Sequence, residues 1–331
     1  MKIGVIDTDG RFVHSFYKDK NINIVRLNPG SEKISAEYPF THAEYVCATI
    51  LLENPRAELF LYNVVGEKYK KSGHLLVESI YHLIKLEVNL INISVGIESC
   101  ETNELYVACI AAKEKGITII AAHANDESKL SYPASFKEVI GITKAGVEDQ
   151  HYSVDFKAGN ILFIPKSYVS FRHLGQEHLM EGNSFLAAKI TGIISCFCFK
   201  SNYMLFLKEI QSTCFNHVCD FTEFRSSNAV VISDRCDEIM QKKYLQECYK
   251  NTEIISLDVI QSGAVVNSYE LLVIDVRSYE NFLCAKNNIK KFLRDNRTMF
   301  KQCFIRYPFF SLQERIDFYE QERVLIRQLL L

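Results

Sequence analysis

The chain has 331 residues, 48% of them hydrophobic and 24% charged, the balance of a globular protein and not of a disordered one. A formal charge of −2, with no long run of Lys or Arg, gives no basis for a nucleic-acid partner. No apolar stretch approaches the roughly 20 residues that span a bilayer, so no membrane partner is expected.

Met1 leads straight into the apolar segment KIGVID, without the basic region, apolar core and small-residue cleavage site of a secretory signal. The 11 cysteines then fit a reducing compartment better than a disulfide framework. The expectation is a soluble, cytoplasmic protein. KIGVID (2–7) itself is apolar and unbroken, as in a strand covered on both faces. HAEYVCATILLEN (42–54) reads as a helix stopped by Pro55, and ELFLYNVV (58–65) as a strand. HLLVESIYHLIKLE (74–87) has helical spacing, and NLINISVG (89–96) is a strand closed by glycine. NELYVACIAAKEKG (103–116) is a helix with basic residues and Gly116 at its C-terminal end, and ITIIAA (117–122) is a further strand. This alternation predicts an α/β fold, a parallel sheet with helices on both faces. Ligands of such sheets bind at the carboxyl ends of the strands, where Asp7, Ser94 to Gly96 and Asn125 fall.

GNSFLAAKITGIISCFCF (182–199) is a helix apolar all round, which suits the middle of a domain. Residues 1–222 therefore read as one catalytic unit. Residues 223–331 read as a smaller α/β domain, with strands in NAVVISD (228–234), EIISLDVI (253–260) and ELLVIDV (270–276) and a basic helix in NNIKKFLRD. An amphipathic helix is expected over the last 20 residues, LQERIDFYEQERVLIRQLLL, as a solvated or domain-packing face. Neither GxGxxG nor a phosphate-loop pattern occurs between these strands, so a nucleotide site is not supported. There is no internal repeat or low-complexity segment.

Four segments carry chemistry: Asp7 in KIGVIDTDG, His42 in THAEYVCATI, Asn125 in AAHAND and Ser184 in EGNSFLAAKITG. A serine hydroxyl is a weak nucleophile and needs a base within hydrogen-bond reach, a role open to His42. An imidazole takes and returns a proton near neutrality. An aspartate such as Asp7 would hold its tautomer and stabilise the imidazolium. Asn125 would donate its amide to an oxyanion, together with the Ser184 backbone N–H. Each residue has a plainer reading. A strand-ending Asp caps helices, a lone His at a helix start is structural, and GNS is a common turn or N-cap. The order Asp, His, Ser is subtilisin's.

Five motifs carry the corresponding resemblance: Asp7-Thr8-Asp9-Gly10; HAEYVCAT with His42, Val46, Ala48 and Thr49; Ser94-Val95-Gly96; Ala121-Ala122-His123-Ala124-Asn125; and Gly182-Asn183-Ser184-Phe185-Leu186-Ala187-Ala188. Over residues 1 to about 200 the chain resembles the subtilase family of serine peptidases. The resemblance implies the triad Asp7, His42 and Ser184, with Asn125 as oxyanion donor. It also implies that Ser94, Val95 and Gly96, with Ala122, His123 and Ala124, wall the pocket for the side chain before the cut. Ala124 in place of glycine narrows that pocket, and Asp126 at its rim would attract a basic side chain. For His123 a structural role stands beside the pocket role. The chain departs from the family at Asp9, Ala43, Asn183, Phe185, Leu186 and Ala188. Asp9 puts a second carboxylate two residues from Asp7, which would disturb it unless directed elsewhere.

No metal or organic cofactor is needed for this chemistry. A structural calcium ion is common in the family, but no loop has a recognisable ligand pattern. Cys196, Cys198, Cys214, His217 and Cys219 suggest zinc, but without a repeated CxxC pair buried structural cysteines fit better. The resulting expectation is a cytoplasmic serine endopeptidase acting on a specific peptide or protein, as in removing the leader of a ribosomally made peptide. The competing readings are a peptide transamidase or macrocyclase on the same fold, and a catalytically silent peptide-binding homologue. The sequence carries no sign of oligomeric state.

Overall fold

The computed structural model divides into two compact units, Met1–Cys214 and Phe215–Leu331. It describes residues 1–27, 40–65, 73–98, 102–126, 129–144, 153–155, 160–164, 169–173, 176–196, 228–234, 251–261, 269–276, 279–300, 302–305, 310–322 and 324–328.

The first unit is built on an eight-stranded sheet. Its strands are β1 (Lys2–Asp7), β2 (Ile22–Arg26), β3 (Glu58–Asn63), β4 (Leu90–Ile93), β5 (Thr118–Ala122), β6 (Ile140–Lys144), β7 (Ser153–Asp155) and β8 (Ile161–Ile164), in the order β2-β3-β1-β4-β5-β6-β8-β7. All pairings are parallel except that of β7 with β8. The helices are α1 (His42–Glu53), α2 (Gly73–Lys85), α3 (Asn103–Glu114) and α4 (Asn183–Cys196). Strand alternation assigns them to faces. Ile91 and Ile93 of β4 join a core with Leu76, Ile80 and Leu83 of α2 and Leu105 and Ala108 of α3. Asn92, between them, accepts a hydrogen bond from Thr191 of α4 at 3.0 Å. A hairpin, β9 (Val169–His173) with β10 (Gln176–Met180), precedes α4 as a separate two-stranded sheet.

The second unit holds β11 (Asn228–Ser233), β12 (Asn251–Ser256), β13 (Leu271–Asp275), β14 (Gln302–Ile305) and β15 (Ile326–Gln328), all parallel, in the order β12-β11-β13-β14-β15. This is a doubly wound order. Helices Asp258–Gln261, Tyr279–Asp295 and Leu312–Glu322 belong to it. Its core gathers Ile232, Leu272, Ile274, Ile289, Phe292 and Phe318.

Two sequence expectations are corrected here. EIISLDVI is not one strand: β12 stops at Ser256, whose Oγ accepts the Asp258 N–H at 3.4 Å and starts the short helix. The last 20 residues are not one helix. The helix ends at Glu322, and β15 pairs with β14. Val324 and Leu325, just before the strand, and Ile326, its first residue, are consecutive and all buried, a run that a half-exposed amphipathic helix does not satisfy. Arg315 reinforces this ending by donating from Nε to the Ile326 carbonyl at 2.9 Å.

Candidate active site

Residues 41–44 form a reciprocal cap for α1. Thr41 Oγ1 accepts the Glu44 N–H at 3.2 Å, and Glu44 Oε2 accepts the Thr41 N–H at 2.5 Å. The cap makes His42 the first residue of α1, at the carboxyl edge of the sheet. Asp7, the last residue of β1, is fully buried there, with Oδ1 2.7 Å from His42 Nδ1. A carboxylate oxygen only accepts, so Nδ1 carries the hydrogen and the neutral ring keeps its lone pair on Nε2. The same Oδ1 accepts the Thr8 N–H at 2.6 Å, and Thr8 Oγ1 accepts the Ala43 N–H at 3.2 Å. Asp7 Oδ2 is buried with no hydrogen-bond partner among the described residues.

Ser184 is the second residue of α4, and α1 and α4 run in the same direction. At one end the Phe185 ring lies 5.2 Å from that of His42 and 6.1 Å from that of Tyr45. At the other, Cys196 Sγ donates to the Glu53 carbonyl at 3.2 Å, and Asn54 Nδ2 donates to Ser195 Oγ at 2.9 Å. Gly192 permits this approach, since a Cβ there would stand 2.7 Å from Glu53 Cβ and 3.0 Å from the Ile50 carbonyl oxygen. Both helix N-termini, with their positive dipole ends, thus meet at the same edge. The Ser184 hydroxyl donates to the Ser94 carbonyl at 3.3 Å.

Asn125 meets α4 from the end of β5: its Oδ1 accepts the Asn183 N–H at 2.9 Å. Asn183 is 1% exposed, and both its amide nitrogen and its amide oxygen are hydrogen-bonded. Nδ2 donates to the His123 and Ala124 carbonyls at 3.2 and 3.1 Å, and Oδ1 accepts the Lys144 N–H at 2.9 Å. Asp7, His42, Asn125 and Ser184 therefore collect where β1, β5, α1 and α4 end or begin.

The subtilase family model matches residues 1–204. The chain belongs to the subtilase family. No curated protein matches its sequence. Among solved structures it is similar to patellamide maturation protease PatA, at 14% identity and TM-score 0.47 over 76% of this chain and 93% of that one. It is also similar to prenylagaramide maturation protease PagA, at 22% identity and TM-score 0.42 over 58% and 72% of the two chains. The PatG macrocyclase in complex with peptide matches at 14% identity and TM-score 0.45 over 58% and 74%.

The segments that subtilase resemblance assigns to the substrate pocket flank this cluster. Ser94 is half-buried: its N–H donates to the Ile6 carbonyl at 3.1 Å, and its Oγ accepts from Asn92 Nδ2 at 3.0 Å. Val95 is buried, and Gly96 lies so close to Ser131 that a Cβ would stand 1.9 Å from its Oγ. Ile97 and Tyr132 exchange backbone hydrogen bonds of 2.9 and 3.0 Å, tying this segment to the chain beyond Asn125. Ala122 is buried, Ala124 half-buried, and Asn125 and Asp126 exposed. His123 turns its ring toward β6: Nε2 would stand 2.5 Å from a Cβ on Gly141. That nitrogen is buried without a hydrogen-bond partner among the described residues, and burial lowers the imidazole pKa.

The structure accounts for two departures from the family. Asp9 receives Arg26 Nε from β2 at 3.1 and 3.0 Å, while its Oδ1 also accepts the Gly10 N–H at 2.8 Å, so its charge is directed to Arg26. Asn183 is the anchor described above. Sequence reasoning passed over Glu44, whose fully buried carboxylate also accepts the Phe12 N–H at 2.5 Å. Its signal was present, in the T-x-x-E spacing of Thr41 and Glu44. Burial, then the charges of Asp7 and Glu44, push the Cys47 thiol well above its ordinary range, so it stays protonated beside the site.

Of the cysteines weighed for zinc, Cys196 is described and bonds to Glu53, while Cys198, Cys214, His217 and Cys219 lie outside the described residues. Among the described residues no three His, Cys, Asp or Glu side chains gather as a metal site, and no helix is long and apolar enough to cross a membrane.

Proposed function

We propose that this subtilase is an active serine endopeptidase in which Ser184 attacks a peptide carbonyl and His42 carries the proton. The observation behind the reading is the 2.7 Å hydrogen bond from His42 Nδ1 to the buried Asp7 carboxylate. It leaves Nε2 as the basic nitrogen, and the buried partner stabilises the imidazolium as it forms. The Ser184 proton passes to Nε2 as its Oγ bonds to the carbonyl carbon. The resulting oxyanion is met by the Ser184 backbone N–H and the Asn125 amide. Collapse expels the amine, which takes the proton from His42. Water then repeats the sequence on the acyl-enzyme. The balance of Asp9 by Arg26 supports activity over a silent binding role, because the added carboxylate is not left facing Asp7.

Within this reading the substrate is an extended peptide or protein segment laid along Ser94 to Gly96, a recognition mode open to any exposed strand edge. The narrower proposal is removal of a leader from a specific peptide, held by the second unit, which lies beyond the family match.

A fluorophosphonate probe tests the chemistry. The folded protein is expected to be labelled, and Ser184→Ala and His42→Ala to abolish labelling. A folded protein that resists the probe, or labelling that survives Ser184→Ala, would overturn the reading. Removing residues 223–331 from a chain that still folds should weaken cleavage of the natural substrate and spare a short peptide.

A further inference from the structure

We infer that Asn183 is a positioning residue for the oxyanion side of the site and acts through Asn125. The inference rests on the serine-peptidase reading and adds to it a residue that touches neither the nucleophile's hydroxyl nor the base.

An asparagine side chain offers two N–H donors and one carbonyl acceptor, and Asn183 uses both kinds in the interior. Its donors hold the carbonyls of His123 and Ala124, the two residues before Asn125, and its acceptor holds the Lys144 N–H at the end of β6. Its own backbone N–H donates to Asn125 Oδ1. One residue therefore fixes both the main chain that delivers Asn125 and the orientation of the Asn125 amide. A backbone N–H can only donate, so it assigns the amide oxygen to that contact and directs Asn125 Nδ2 away from it. The amide hydrogen that an oxyanion needs is aimed by the residue directly before Ser184.

Threonine, which subtilases carry here, has one hydroxyl and cannot hold two carbonyls while accepting from a third group. The asparagine is thus a different solution to placing the donor, and not a lost function. At 1% exposure these bonds do not compete with water, so their loss moves the backbone instead of being replaced by solvent.

Asn183→Asp tests this at constant shape: a carboxylate oxygen then faces two carbonyls, while Lys144 N–H keeps its acceptor. The readout is the second-order rate of fluorophosphonate labelling for wild type, Asn183→Asp, Asn125→Ala and the double variant, each shown to be folded by its melting curve. Asn125→Ala is expected to slow labelling about 100- to 1,000-fold. Asn183→Asp should slow it about 10- to 100-fold, the scale of an ångström-level misplacement. In the Asn125→Ala background the same substitution should cost less than about threefold, because the group it positions is gone. An equal factor in both backgrounds, or no slowing in the first, overturns the inference. If Asn183→Asp does not fold, Asn183→Thr replaces it in the same cycle with the same criterion. A folded wild type that takes no label defeats the peptidase reading itself, an outcome distinct from labelling with additive losses.

Discussion

Glu44 offers a sharp test of how the site is held. Its carboxylate is fully buried and accepts two backbone N–H groups, that of Thr41 through Oε2 and that of Phe12 through Oε1, with Arg11 Nε 4.0 Å away. Thr41 begins the helix that carries His42, and Phe12 lies in the chain just beyond Asp7 and Gly10, held at φ 51. Each charge-assisted hydrogen bond contributes about 1.5–3 kcal/mol net. Glu44→Ala removes both, but Thr41 and Phe12 are only half-buried and water recovers part of the loss, so about 3 kcal/mol is expected. Glu44→Gln keeps one oxygen as a neutral acceptor and turns an NH2 toward the other N–H, for about 2 kcal/mol. Urea unfolding followed by far-ultraviolet circular dichroism reads both variants, with the transitions of the two units fitted separately. The order should be wild type, Gln, Ala, and Ser184 labelling should slow in the same order. A Gln variant within about 0.5 kcal/mol of wild type would refute the view that the buried carboxylate ties these segments together.

Two further substitutions probe packing and charge. Gly192→Ala should destabilise the first unit by about 1–2 kcal/mol in urea unfolding: forcing a Cβ against Glu53 and the Ile50 carbonyl outweighs alanine's helix preference of about 1 kcal/mol, and a stabilised variant would contradict the close approach of α1 and α4. His123 should make the melting temperature fall on acidification. Burial lowers its folded pKa below the ordinary value of 6.5, so at and below that pH the unfolded chain binds a proton that the folded one resists, and stability falls until the folded pKa is passed. Measured between about pH 7 and 5, the slope should flatten in His123→Gln; an unchanged slope would show that the imidazole is not the group responsible.

The parts of this architecture that were legible in the sequence are those where burial leaves a local pattern. β1, β4 and β5 are apolar runs, and α4 is apolar around its whole circumference, because each is covered on every side. β2 escaped notice because an edge strand is half-exposed and INIVR mixes apolar with polar residues over only five positions. β15 was hidden because the helical LQERIDFYEQE runs on toward it with neither Gly nor Pro to mark a break.

The site divides along the same line. Asp7, His42, Asn125 and Ser184 stand in motifs of a few residues each, so a family pattern reaches them. What surrounds them does not take that form. Asp9 looked like a charge set against Asp7 because its partner, Arg26, is 17 positions away on another strand. Asn183 showed only as a departure from the family motif because its partners are two carbonyls and an N–H, groups every residue has and no side-chain pattern records. A departure from a family motif therefore says little about lost activity until its backbone partners are known. At Asn183 they make the departure a connection between the end of β5, β6 and the start of the serine's helix.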